Sequence, residues 1–265
     1  MPSGAHAPNV IQTRNGLPQV DINKASNAGV SVNTYSQFDV QKNGAILNNS
    51  PVITNTQLAG QVSGNPNLSP GQSARIILNQ VNSSSPSQLR GYLEVAGNRA
   101  EVVVANGSGI VVDGGGFINT TRGILTTGTP MLDAGGNLSG FKVTGGMITV
   151  QGAGLDATNI DQVDLISRAV QANAAIRAND LNVITGANQV NHDTLACQSS
   201  SSRSLTRAHN QERSHALRTA CSVHAWHARW TILEATMHPV ILRWAPIDLR
   251  FKKFIHSARV DRLTF

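Results

Sequence analysis

From Val10 to Val190 apolar residues recur at alternate positions over short stretches, and between stretches the alternation breaks off and begins again. Val30 and Val32 alternate with polar neighbours, as do Phe38 and Val40, Val102 and Val104, Ile110 and Val112, and Phe141 and Val143. A period of two marks a strand with one face buried, and each stretch has room for roughly 4 to 6 residues. The interruptions are rich in Gly and Asn: Asn48-Asn49-Ser50, Gly97-Asn98, Gly114-Gly115-Gly116, Gly135-Gly136-Asn137, Gly145-Gly146 and Gly152-Ala153-Gly154. These are the residues that tolerate positive φ, so the chain is expected to turn a tight corner at each of them. Asp161 to Ala178 reads two ways. Val163, Ile166, Val170 and Ala174 fit a helical spacing, whereas Leu165, Ser167 and Ala169 read as a strand, the reading adopted here.

Many short strands with corners every few residues admit a sandwich or a solenoid that coils strand upon strand. Irregularly spaced corners, few aromatics and few charged side chains favour the solenoid. The expected fold is therefore all-β, a right-handed parallel β-helix whose rungs bury small aliphatic side chains along the axis, with Asn stacked at successive corners. An open solenoid end is an unpaired sheet edge that needs a cap, and Val10 to Val32 is the candidate cap at the N-terminus.

Composition divides the chain. All 24 glycines lie at or before Gly186, and 23 of the 24 asparagines precede Cys197, while Trp226, Trp230 and Trp244 follow it. Charge divides at the same place: residues 1–196 carry 10 Lys or Arg against 11 Asp or Glu, and residues 197–265 carry 11 against 4. The net charge of +6 is thus −1 for the body and +7 for the tail, so the basic balance argues for no nucleic-acid partner of the body. The body has no cysteine, which excludes a disulfide framework there, and no run of about 18 apolar residues spans a membrane. Ala5-His6-Ala7 has the small-residue form of a signal-peptidase site without the basic and apolar regions that should precede it. A signal peptide is therefore absent from this chain, by removal or by a start placed too late.

Asn65-Pro66-Asn67-Leu68, followed by a small-residue run and the apolar Ala74 to Val81, resembles the signature of the two-partner secretion domain at the N-terminus of filamentous-haemagglutinin-like and contact-dependent-inhibition adhesins. Flanking blocks agree in order: Val10-Ile11-Gln12, Gly16-Leu17-Pro18, Phe38-Asp39-Val40, Gly91-Tyr92-Leu93-Glu94-Val95 and Gly186-Ala187-Asn188-Gln189. The resemblance covers residues 8–191, that is 184 of the 265. It departs from the pattern at the second signature, Asn-Pro-Asn-Gly-Ile in the family. Here Asn106-Gly107-Ser108-Gly109-Ile110 stands in its place, so Asn106, Gly109 and Ile110 carry over while Pro and the second Asn do not. The resemblance implies a secreted module, routed through the periplasm of a Gram-negative bacterium to the cell surface, recognised by the periplasmic domains of an outer-membrane transporter, and able to meet a host or bacterial receptor. It implies no cofactor.

A β-helix also serves polysaccharide-active enzymes, which need convergent carboxylates with a basic partner. The nearest set, Asp156, Asp161 and Asp164 with Arg168, reads as solvated surface charge. In the tail, Cys221, His224 and His227, with Cys197 upstream, offer a weak zinc alternative of imperfect spacing. The basic residues 192–265 are treated as a separate, poorly ordered tail, which three readings fit: a lost reading frame, the preferred one; a cap on the last rung; or a toxin remnant.

Overall fold

A computed structural model of the chain describes residues 1–199 and 222–227. All regular structure among them is strand, wound as a parallel β-helix in which the chain visits three faces in turn and then stacks on the rung before. The expected architecture is thus the one found. Asp161 to Ala178, the ambiguous stretch, forms the strands Gln162–Ser167, Ala169–Ala172 and Ile176–Ala178.

The first face stacks Pro18–Asp21, Ala45–Asn49, Tyr92–Gly97, Gly115–Ile118, Leu155–Ala157 and Ile176–Ala178 in parallel. Asn9–Gln12 folds back antiparallel on Pro18–Asp21, so the cap expected within Val10 to Val32 begins as a hairpin at the N-terminal end. The second face stacks Val30–Tyr35, Ile76–Val81, Ala100–Asn106, Thr120–Thr126, Gln162–Ser167 and Asp180–Thr185. Ser222–His227 pairs antiparallel with the last of these and closes that edge. The third face stacks Ser87–Leu89, Ile110–Val112, Met147–Val150 and Ala169–Ala172, with Val40 bridging to Leu89. Most of the tail taken as residues 192–265 lies outside the described residues.

Two insertions break the period. Val111 lies 23 residues after its partner Gln88, and Ile176 lies 21 after Leu155, whereas Asp156 lies 40 after Gly116. The excess there is a hairpin, Thr129–Leu132 with Leu138–Lys142, that leaves the coil between the second and third faces. A second hairpin, Thr54–Thr56 with Gly60–Val62, leaves between the first and second. Glu94 fixes its loop, its carboxylate oxygens accepting the Gln57 and Leu58 amides at 2.6 and 2.8 Å.

The interior is a column of small aliphatics, among them Ile77, Val102, Val104, Leu125, Val163 and Leu165, together with Phe117. Facing outward from the second face, Ile76, Leu78, Val103, Ala105, Ile124, Ile166 and Ile184 form a separate apolar cluster with Leu138, Phe141, Val143 and Val190. Those last four belong to an outer antiparallel sheet, in which Leu138–Lys142 pairs with Asn188–Asn191 and that strand with Cys197–Ser199. Strands buried on both sides read as continuous apolar runs, as Ile76-Ile77-Leu78 and Val102-Val103-Val104 do. Contrary to the expected stack, no corner asparagine among the described residues bonds to the side chain of another: Asn48 Nδ2 reaches Asp21 Oδ1 and Asn98 Nδ2 reaches Ser73 Oγ, and others reach backbone carbonyls. Asn119 Nδ2 reaches the Val95 and Gly97 carbonyls at 2.7 and 2.8 Å, and Asn179 Nδ2 reaches those of Thr158 and Ile160 at 3.0 and 2.8 Å, in each case one rung back.

Candidate recognition site

Both signatures fold into the same device. In the first, Leu68 N donates to Asn65 O at 3.2 Å, closing a β-turn with Pro66 at its second position, where the fixed φ suits the turn. Asn67 N donates to Asn65 Oδ1 at 2.9 Å, so the Asn65 side chain copies a backbone turn within the first. Asn65 is 1% exposed. Its Nδ2 donates to Ile22 O at 2.9 Å and Asn48 O at 2.8 Å, which pins the turn to two successive rungs of the first face. Asn67 Nδ2 adds a bond of 3.1 Å to Ile22 O. Leu68 is buried, while Pro66 and the backbone around Asn67 form an exposed tip.

The second signature repeats this with different neighbours. Gly109 N donates to Asn106 O at 3.0 Å, Ser108 N to Asn106 Oδ1 at 2.9 Å, and Asn106 Nδ2 to Ser85 O at 3.1 Å and Ser87 Oγ at 3.0 Å. Asn106 and Ile110 are buried. Gly109 has a φ of 116° and a Cβ there would sit 2.9 Å from Met147 O, so the position admits only Gly. Gly107 stands where the first turn has Pro66. It is exposed, is not among the positive-φ glycines, and a Cβ on it would meet nothing nearer than Thr127 O at 3.9 Å. Gly107→Pro should therefore raise the unfolding free energy by about 0.4–1 kcal/mol, because it narrows the unfolded ensemble without straining the fold. Urea unfolding checks this, and the midpoint should rise at unchanged slope.

The carboxylates considered as an enzymatic set do not converge. Asp156 accepts the Tyr92 hydroxyl at 2.9 Å, Asp161 pairs with Arg99 at 3.1 Å, and Asp164 pairs with Arg122 at 2.5 Å. Asp164 corrects the reading of this set as solvated charge, since it is fully buried. Its burial was hidden because it points outward from the coil, where the outer sheet covers it. No group of three or more His, Cys, Asp or Glu among the described residues is placed to hold a metal. Of the zinc alternative, His224 and His227 stand on Ser222–His227, and Cys221 lies outside the described residues.

Around Asp164 lies a buried ionic cluster that the sequence did not announce. Arg122 Nε donates to Asp164 Oδ2 at 2.5 Å, and its Nη1 donates to His192 O at 3.0 Å and lies 3.9 Å from Glu101 Oε1. Gln162 Nε2 and Asn182 Nδ2 both donate to Asp164 Oδ1, at 2.8 and 2.9 Å. His192, 2% exposed, holds Glu101 Oε1 at 2.5 Å through Nε2 and Asp193 Oδ1 at 2.7 Å through Nδ1. Burial works to lower the His192 pKa. The hydrogen bond and charge of Glu101, with the bond to Asp193, outweigh burial and the opposing Arg122 and raise it above its ordinary value of 6.5. The only hint in the sequence was rarity, His192 being one of two histidines before Cys197.

Fold and site together define a class of parallel β-helix modules capped by an N-terminal hairpin and carrying an outer sheet and twin asparagine-pinned turns, and comparisons with known proteins say which. The family model of the TPS secretion domain matches residues 1–229. The chain is 58% identical over 192 residues to a tRNA nuclease CdiA-2 of Burkholderia pseudomallei, covering 72% of this chain and 6% of that protein. It is 52% identical over 187 residues to a toxin CdiA of Yersinia pestis, covering 71% of this chain and again 6% of that protein. Among solved structures it resembles a filamentous hemagglutinin secretion domain with a TM-score of 0.65 at 33% identity, over 75% of this chain and 67% of that one. The chain belongs to the TPS secretion domain family, the two-partner secretion domains of CdiA and filamentous-haemagglutinin-like exoproteins. It spans about 6% of the length of the curated relatives quoted.

Proposed function

We propose that this module is the export signal of a contact-dependent-inhibition or filamentous-haemagglutinin-like exoprotein, read by the periplasmic domains of an outer-membrane two-partner transporter and delivered to the surface of a Gram-negative cell, where it can meet a host or bacterial receptor. The observation that carries the reading is the division of labour inside Asn65–Leu68. Asn65 and Leu68 are buried and hold the turn, whereas Pro66 and Asn67 are exposed at its tip. Pro66 fixes the geometry of that exposed tip, which presents a constant shape for a partner to read. The same chemistry recurs at Asn106–Ile110, where Gly107 is the exposed residue. Nuclease and toxin activities belong to the relatives that carry those names, and none is proposed for this chain.

Secretion in a strain carrying the cognate transporter tests the proposal. Asn67→Ala removes one exposed side chain and should cost the purified domain about 1 kcal/mol or less, while export falls severalfold. Export at the level of the unaltered chain, with Asn67→Ala and Pro66→Ala combined, would refute recognition through the tip. Asn65→Ala is the structural control, because it strips bonds from the buried Ile22 and Asn48 carbonyls and should lower stability and export together.

A further inference from the structure

The outer sheet is fastened to the coil by two neighbouring sets of bonds on adjacent rungs of the second face, where Glu101 N donates to Arg75 O at 2.9 Å. At the tip of its hairpin, Ser26 Oγ donates to Gly136 O at 3.0 Å and Arg75 Nη2 to Asn137 Oδ1 at 3.0 Å, tying the sheet to the N-terminal rungs. Beside it, His192 follows directly on the strand Asn188–Asn191, donates its amide to Ser139 O at 3.1 Å, and reaches Glu101 on Ala100–Asn106. Arg122 on Thr120–Thr126 takes the His192 carbonyl, and Asp164 on Gln162–Ser167 holds Arg122 in place. Two rungs thus meet His192 directly and a third braces it through Arg122, and the Phe141 ring of the neighbouring outer strand lies beside it, centroids 6.3 Å apart. The first fastening is made of exposed or half-buried groups. The second is buried and ionisable.

We propose that His192 is a protonation-dependent clasp that fastens the outer antiparallel sheet to the coil, closed when the imidazole is charged and loosened when it is neutral. The groups facing it set the sign. Glu101 and Asp193 each sit on one ring nitrogen, and a charged imidazole donates to both, whereas a neutral one can donate to one alone and leaves the other carboxylate without its proton. Arg122 opposes the charge but is itself held by Asp164 and by the His192 carbonyl, so it favours the closed position of the backbone in either state. With the folded value raised above the unfolded one, the contribution of the clasp is complete below about pH 6.5 and is lost as pH rises through the folded value. On the proposed export reading, a module that folds as it leaves a transporter can close this clasp only once residues 189–192 have emerged, with Cys197–Ser199 and Ser222–His227 pairing later still, so its closure depends on the pH outside the cell.

Hydrogen exchange of the intact chain, expressed as protection relative to each pH's intrinsic rate, tests this from pH 5.5 to 9. The amides of Leu138–Lys142 and Asn188–Asn191 should lose protection as pH rises, by tenfold for each unit by which the His192 pKa exceeds 6.5. Those of the interior strands Ile76–Val81 and Ala100–Asn106 should change far less. His192→Gln should show weaker protection of the outer sheet and no pH profile, and Glu101→Gln, which keeps the shape and the histidine, should flatten the profile as well. Protection in the unaltered chain that stays constant over this range overturns the proposal even if both variants fail to fold, and so does a variant that keeps the profile.

Discussion

Phe117→Ala should lower the unfolding free energy by about 3–5 kcal/mol, the cost of emptying a large apolar side chain from a core that cannot close over the space. Phe117 is 1% exposed and belongs to the first face. Its ring lies across the coil against Gly123, in register with Val102 and Val163 in the neighbouring rungs. A Cβ on Gly123 would sit 2.7 Å from the ring, so one position supplies the volume that the other gives up. The stacked strands are held by ladder bonds on both sides and have little freedom to move inward. Gly123→Ala alone should be destabilising for the opposite reason, because it overfills the same space. The double variant should recover part of the loss, with an interaction energy of about 0.5–3 kcal/mol from a double-mutant cycle in urea. Strict additivity would mean that the two do not share the space.

Arg122→Met should cost a comparable amount, about 3–5 kcal/mol, as the removal of one partner from a buried ion pair does. Asp164 would remain in the interior with only the Gln162 and Asn182 amides for company, and Glu101 and the His192 carbonyl would lose the same cation. Replacing both charges, Arg122→Met with Asp164→Asn, should restore much of the stability. The cost of the single change lies in the stranded carboxylate and not in the attraction that was lost. A thermal or urea series on the two proteins distinguishes these, and a double variant no more stable than the single one would contradict the account.

The strands and their corners were legible because each face of the coil repeats simple chemistry: alternation where one side is buried, Gly or Asn where the chain bends. Gly97, Gly109 and Gly154 do take positive φ, and Asn119 does so without being Gly. The rung period was not legible, since the two inserted hairpins add unequal lengths between equivalent strands and leave no fixed spacing to find. The outer sheet was missed for a related reason. Phe141 and Val143 were visible as an alternating pair, but nothing local says that they pack outside the coil and not within it. Of the site, the two asparagine turns could be read from residue type and order, because the bonds that close each turn, Asn65 to Asn67 and Leu68 and Asn106 to Ser108 and Gly109, lie within four residues, although those that pin the turns to the rungs do not. The ionic cluster could not, because Glu101, Arg122, Asp164 and His192 lie on four separated segments that only the stacking of rungs brings together. The change of composition after residue 191 masked it in the sequence, although the outer sheet continues through Cys197–Ser199 and His192 is only 2% exposed.

The two-sided second face sets a minimum length for any useful fragment. Its outward isoleucines, valines and leucine are covered by Phe141 and Val143 from the hairpin and by Val190 from Asn188–Asn191, nearly fifty residues later. A piece of the chain that stops short of Val190 can still wind most of its rungs, yet it leaves the part of that apolar stripe under Val190 uncovered, beside the free edge of Leu138–Lys142. Such a piece would be sticky in proportion to how well it had folded. Full cover of this face therefore arrives late, and libraries of truncations should divide into those that carry Asn188–Asn191 and those that aggregate more readily.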